Sequence, residues 1–273
     1  MTSTMSPPPQ TPDLTTFKAL SFDCYGTLID DDSGLTSSLH PLLSRLPPTH
    51  PYNLDPLQAT QRFNNLVHDL WLSSPKMPYP DQLTASYLSL ASELGLALPS
   101  SSEAEEEAQR IGTAAGRWGA FPDTVEGLRR LGRYYKLIIL SNVDKENIRR
   151  TVEDQLAGAR VDAVYTAEEI GSYKPSLGNF RYLFEHAKTD FGVDWEEGEL
   201  LHVAVSLTVD HVPAKELGLR SVWISRGGAH GGDRESLGRL EREGKVGFEW
   251  QFETIGEFAD EVERQFEAKE KKE

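Results

Sequence analysis

Apolar positions in this chain follow two rhythms. Four short runs are almost continuously apolar, 17-FKALSF-22, 136-KLIIL-140, 200-LLHVAV-205 and 221-SVWIS-225, and a weaker one lies around Val161–Tyr165. Runs of this length without polar alternation predict strands covered on both faces, as in a parallel sheet. The second rhythm is one helical turn. Val125, Leu128 and Leu131 follow Pro122-Asp123, with Asp123 placed as an N-cap. Ile148, Val152 and Leu156 follow Asn142, and Leu183, Phe184 and Ala187 follow Pro175. The segment 210-DHVPAKELG-218 ends on a glycine suited to a helix C-terminus, and Asp210 is placed to cap its start. Strand and helix in alternation predict an α/β fold with a doubly wound parallel sheet.

Residues 31–118 read differently. Leu42, Leu43 and Leu46, then Phe63, Leu66, Leu70 and Leu72, then Tyr87, Leu88, Leu90 and Leu94 recur at helical spacing with no strand pattern between them. Prolines at 47–48, 51, 75, 78, 80 and 99 punctuate them. The pattern predicts an all-helical cap over 31–118, inserted into a core formed by 15–30 and 119–265. Residues 1–14, rich in proline and small polar residues, read as a disordered tail, and 266–273 as a charged tail.

The totals narrow the class. The chain has 273 residues, 38% apolar, with a formal net charge of −15, which makes nucleic acid a poor partner. No run approaches the roughly 18 apolar residues of a membrane span. The single cysteine, Cys24, forms no internal disulfide and reads as a small packed residue. With no basic-then-apolar leader, the expected place is the cytoplasm.

Ligands of open α/β sheets gather beyond the carboxyl ends of the strands. In 18-KALSFDCYGTLIDDD-32 the first strand stops on Asp23; the second ends at Ser141-Asn142 and the third leads to Ser206 and Asp210. Lys174 follows the weaker strand, in 172-SYKPS-176. A carboxylate can form a covalent ester, and a lysine beside it keeps it ionised and offsets an anionic substrate. Ser141 can hold an anionic group, Gly26 lets the backbone approach closely, and Thr27 can hydrogen-bond to Asp23. Ser206 divides between capping the next turn and lining the site. His211 reads as structural, and Trp71 and Trp118 as packing of the cap or its hinge.

DxYGTLxD, S-N, K-P and D…AKxxG in this order resemble the haloacid dehalogenase superfamily from about Phe17 to Glu263. The resemblance implies a Rossmann-like core with a helical cap. It implies Asp23 as nucleophile, Lys174 as its charge partner and Asp210 as the acid of the last motif, with Ser141 and Asn142 beside the substrate. Phosphatases of the superfamily read DxDxT, and Tyr25 stands where their second Asp protonates the leaving group; a phenol of pKa about 10 is a poor donor for that task. Val205 stands where their metal-binding acid lies, and it offers Mg²⁺ no oxygen.

DxYGTL instead resembles the metal-independent (S)-2-haloacid dehalogenases, and with SLTVDHVPAKELG and VWISR their fungal dehalogenase-like branch. That implies no cofactor, no metal and a small anionic organic substrate held by Tyr25, Thr27, Ser141, Asn142, Arg62 and Ser206. A homodimer stays open. Three positions depart: Val205 and Leu207 replace Ser and Asn of the bacterial enzymes, and Phe180 replaces a Tyr. The halide-binding arginine of the cap matches Arg62 only with a slip of one residue. Two readings follow: a carbon–halide hydrolase, or a degenerate member that binds a small anion or partner without turnover. An atypical phosphatase is a third, weaker one.

Overall fold

The computed structural model describes residues 13–96, 101–226 and 234–272. One sheet holds β1 (Ala19–Phe22), β2 (Lys136–Ser141), β3 (Ala163–Thr166), β4 (Leu200–Ala204), β5 (Ser221–Ile224) and β6 (Trp250–Phe252) in the order β3-β2-β1-β4-β5-β6. Every pairing is parallel. The chain winds outward from β1 to β3, then returns to place β4 on the other side of β1. The switch point, where such sheets bind ligands, therefore lies between β1 and β4.

Helices α1 (Asp31–Leu43), α2 (Pro51–Leu54), α3 (Pro56–Ser73), α4 (Tyr79–Glu93) and α5 (Ser101–Gly112) lie between β1 and β2, with no strand among the described residues there. Helix α6 (Thr124–Leu131) leads from the insertion into β2, and the others follow the later strands: α7 (Lys145–Arg150), α8 (Ala167–Ile170), α9 (Leu177–Phe191), α10 (Val212–Leu217), α11 (Arg234–Arg242) and α12 (Ile255–Glu270). This is a Rossmann-like α/β fold with a helical insertion after its first strand.

Strand side chains alternate between two separate cores, which is why the runs read as continuously apolar. Leu20, Phe22, Leu137, Ile139, Leu201 and Val203 pack with Leu128 and Leu131 of α6 and Phe258 and Val262 of α12. Ala19, Ile138, Leu140 and Leu200 pack with Phe180, Leu183 and Ala187 of α9. Each large aliphatic side chain so buried contributes about 1.5–3 kcal/mol. The inserted helices join the first core through Leu35, Leu39, Phe63, Val67, Leu83 and Leu90. Prolines start several of them: Pro51, Pro56 and Pro80 stand in first turns, where a missing N–H costs nothing. At Gly34 a Cβ would lie 2.2 Å from Trp118 Cγ, so α1 rests directly on the indole where the insertion rejoins the sheet.

Several sequence expectations are corrected. Strand β6 adds a sixth member to the sheet; it has only three residues, with one buried side chain, and gives little pattern. Leu72 is 64% exposed and Leu88 36%, so neither belongs to a core-facing stripe. Residues 1–12 of the expected tail lie outside the described residues, but Leu14 is fully buried in the first core and donates its N–H to Gln265. At the other end α12 runs to Glu270, and Phe266 stacks on Tyr134 with ring centroids 4.2 Å apart.

Asp123 stands at the start of α6 but makes no side-chain cap bond there. Its carboxylate accepts from Arg226 Nη1 and Nη2 at 2.9 and 2.8 Å and from the Ile255 N–H at 2.8 Å. Arg226 also donates to Thr27 O at 3.2 Å, tying the loop after β1 to β5. Burial pushes the Asp123 carboxyl up, and Arg226 outweighs it, holding it below the ordinary value. A depressed carboxyl adds stability above its unfolded pKa of about 3.9, lost as pH falls through the lower folded value. Asp123→Ala should therefore destabilise the protein by about 3 kcal/mol at pH 7, because it leaves Arg226 buried and unpaired. Urea unfolding measures it; the deficit should shrink below pH about 4, and a loss under about 1 kcal/mol would mean the pair is no clamp.

Candidate active site

Asp23 leaves β1 at the switch point, its N–H donating to Val203 O of β4 at 3.1 Å. The turn that follows needs Gly26 at φ 85°, a left-handed conformation that favours glycine. It brings Thr27 back beneath the carboxylate, where Thr27 Oγ1 donates to Asp23 Oδ2 at 2.9 Å and accepts from the Val205 N–H at 3.1 Å. Thr27 is fully buried, does not line the cavity, and so orients Asp23 rather than touching a ligand.

Lys174, 1% exposed, donates to Asp23 Oδ1 at 2.8 Å and to Asp210 Oδ1 at 2.6 Å. Its backbone is clamped by Asn142, whose side chain accepts from the Lys174 N–H at 2.7 Å and donates to Lys174 O at 2.9 Å. Asp210 is not a helix cap: Ser206 Oγ takes that place, accepting from Val209 N–H at 3.2 Å. Asp210 Oδ1 instead accepts also from His202 Nε2 at 3.1 Å, while its Oδ2 has no partner among the described residues. Ser141 Oγ is likewise buried without a partner among them.

Charge divides unequally over this cluster. Burial pushes Asp210 up, but Lys174 and His202 outweigh it and hold it at about 2. Burial raises the Asp23 carboxyl above its ordinary value, and the Asp210 charge adds to the rise against the pull of Lys174. Burial lowers Lys174, and the two carboxylates more than restore it, so it stays an ammonium. Burial lowers His211 to about 4 and raises the Cys24 thiol well up; both are packed residues without a charge at neutral pH.

A cavity of about 310 Å³ opens over this cluster. Asp23, Ser141, Asn142, Lys174, Val205, Ser206 and Asp210 line it from the sheet side. Gln61, Asn64, Asn65, His68 and Trp71 of α3, with Tyr79 and Leu83 of α4, line it from the insertion. Trp71 stacks on Tyr173 at 5.9 Å and 8°, and Tyr173 OH donates to Met77 O at 2.8 Å, so the insertion meets the residue next to Lys174. Tyr25 lines the cavity too, but burial raises its phenol well up and the hydroxyl is shared with Thr151 Oγ1 at 2.9 Å.

Arg62 does not join the site. It pairs with Glu93 and is absent from the cavity wall, because one residue along a helix turns the side chain by about 100°. Gln61, Asn64 and His68 hold the facing positions instead, a polar stripe at helical spacing overshadowed by the apolar one beside it. Of the three departures only Val205 lines the cavity; Leu207 packs with Trp223, and Phe180 lies edge-on to His202 at 5.5 Å. His202 itself gave no signal, a single polar residue inside an apolar run.

The strand order, the insertion after β1 and the acid–lysine–acid cluster at the switch point define a Rossmann-like α/β protein with a capped site. The sequence model of the haloacid dehalogenase-like hydrolases matches residues 17–198, and the chain belongs to that family. No curated protein sequence matches the chain. The fold is similar to that of the L-2-haloacid dehalogenase PA0810, 22% identical, with TM-score 0.67 over 91% of this chain and 99% of that one. It is similar to the L-2-haloacid dehalogenase from Xanthobacter autotrophicus, 20% identical, with TM-score 0.67 over 90% and 98%. The hydrolase YfnB from Bacillus subtilis, described as putative and solved bound to magnesium, is 18% identical, with TM-score 0.66 over 90% and 99%. At these identities the likeness is one of fold. No helix among the described residues is long and apolar enough to cross a membrane.

Proposed function

We propose that the protein is a metal-independent hydrolase of (S)-2-haloacid-like electrophiles, with Asp23 as nucleophile. An Asp23 oxygen attacks C2 from the side opposite the halogen, the C–X electron pair leaves as halide, and an ester joins C2 to the protein. Water then adds to the ester carbonyl, a base takes its proton, and the acyl–oxygen bond breaks. The product is the 2-hydroxy acid of inverted configuration, and Asp23 regains a carboxylate carrying one oxygen from water. Lys174 holds Asp23 ionised, Thr27 aims it, and Ser141 and Asn142 face the substrate.

The observation that carries this reading is the Asp23 carboxylate at the cavity, held between Thr27 and Lys174 with Val205 beside it. The donor set does not suit Mg²⁺, which takes six oxygens in octahedral array. Asp23 and Asp210 both spend an oxygen on Lys174, Val205 has no donor, and no group of three or more acids, histidines or cysteines converges among the described residues.

Halide and phosphate release across small 2-haloacids and phosphomonoesters tests the branch. Halide should appear from (S)-2-chloropropionate, unchanged by chelator; magnesium-dependent phosphate release would move the protein to the phosphatases, and binding without release to the non-catalytic reading. The pH profile follows from the raised Asp23 carboxyl, which below its pKa is protonated and cannot attack. The acid limb of kcat/KM should therefore lie above the ordinary carboxylate value of about 3.9. A limb at or below that value would mean another group controls it.

A further inference from the structure

We propose that His202 is a positioning residue for Asp210, holding that carboxylate so that its second oxygen takes the proton of the hydrolytic water. The inference rests on the covalent-ester reading above. Ser21 and His202 are register partners on β1 and β4, directly under the switch point, and both side chains face the α9 layer. Ser21 Oγ meets His202 Nδ1 at 2.9 Å, and His202 Nε2 meets Asp210 Oδ1 at 3.1 Å. All three residues are fully buried or within 1% of it.

A carboxylate only accepts, so Nε2 is the donor to Asp210, and Nδ1 is left to Ser21. Oδ1 is then saturated by Lys174 from one side and His202 from the other. Oδ2 has no partner among the described residues, on a residue that lines the cavity. Oδ2 is itself buried, so it is an unpaired acceptor at the cavity edge that still needs one hydrogen bond, and the hydrolytic water is the group that would supply it. A polar imidazole within an apolar strand costs free energy unless its hydrogen bonds are made, and here both are. Phe180 seats its ring edge-on to the imidazole at 78°, an apolar wall that leaves the imidazole no other partner on that side.

Rapid-quench turnover of (S)-2-chloropropionate separates the two chemical steps: halide release reports ester formation, and the mass of the Asp23 peptide reports the ester that persists. His202→Phe should leave halide release in the first turnover within about twofold and slow ester hydrolysis roughly 10- to 100-fold, so that the ester accumulates. His202→Gln, which restores a donor near Nε2, should recover most of the hydrolysis rate. Should His202→Phe not fold, Ser21→Ala removes only the far hydrogen bond and should show a smaller accumulation in the same sense. Equal slowing of both steps, or no change in either with the variant folded, overturns the role of His202 while leaving Asp23 as nucleophile. Wild-type protein that never carries the ester overturns both.

Discussion

Asp23→Asn should abolish turnover, with a loss of roughly 10⁴-fold or more, while the protein becomes slightly more stable at neutral pH. An amide cannot displace halide, and Asp210, the carboxylate nearest in the cluster, keeps its Oδ1 on Lys174 and His202. The stability gain follows from the sign of the shift. Burial raises the Asp23 carboxyl, so ionising it at pH 7 costs more in the folded protein than in the unfolded chain. Asn has the same shape without that cost: its oxygen can accept from Lys174 while its NH2 donates to Thr27 Oγ1. Thermal unfolding should show an equal or higher Tm for the variant at pH 7. A variant both inactive and markedly less stable would mean Asp23 is a structural carboxylate.

Lys174→Ala should lose activity by roughly 10³-fold and also destabilise the protein by about 3–5 kcal/mol at pH 7. A lysine in an open crevice could be removed at little cost to the fold. This one is 1% exposed and is the shared partner of two buried carboxylates at 2.8 and 2.6 Å. Without it Asp23 and Asp210 repel each other with no cation between them, and both folded pKa values rise above their unfolded ones. Such groups bind protons on folding, so the variant should recover stability as pH falls, unlike a simple cavity mutant. Urea unfolding at pH 7 and pH 5 measures this. An equal deficit at both would show that lost packing, not charge, is the cause.

What the sequence disclosed and what it hid divide along a physical line. β1, Asp23, Ser141, Lys174 and Asp210 were legible because each stands where an apolar run stops or a short motif fixes the backbone. Gly218 was legible as a helix stop for the same reason, and it adopts φ 76°. Interactions between distant parts of the chain were not legible. Asp123 has a good N-cap identity, but Arg226, 103 residues away, takes its carboxylate. Ser206 takes the cap that local pattern gave to Asp210, because Lys174 and His202 draw Asp210 inward. Arg62 failed by a single helical position, an error that side-chain direction reveals and residue type does not. His202 was hidden because nothing in an apolar run says that its neighbour across the sheet is Ser21.

The central claim is that Asp23 attacks carbon, and a single turnover in ¹⁸O water tests it most directly. With enzyme in excess over (S)-2-chloropropionate, the hydroxyl oxygen of the product should come from Asp23 and carry no label. The label should appear instead in the peptide containing Asp23, two mass units heavier. Labelled product in that first turnover, with an unlabelled Asp23 peptide, would mean that water attacks C2 itself and that Asp23 forms no ester.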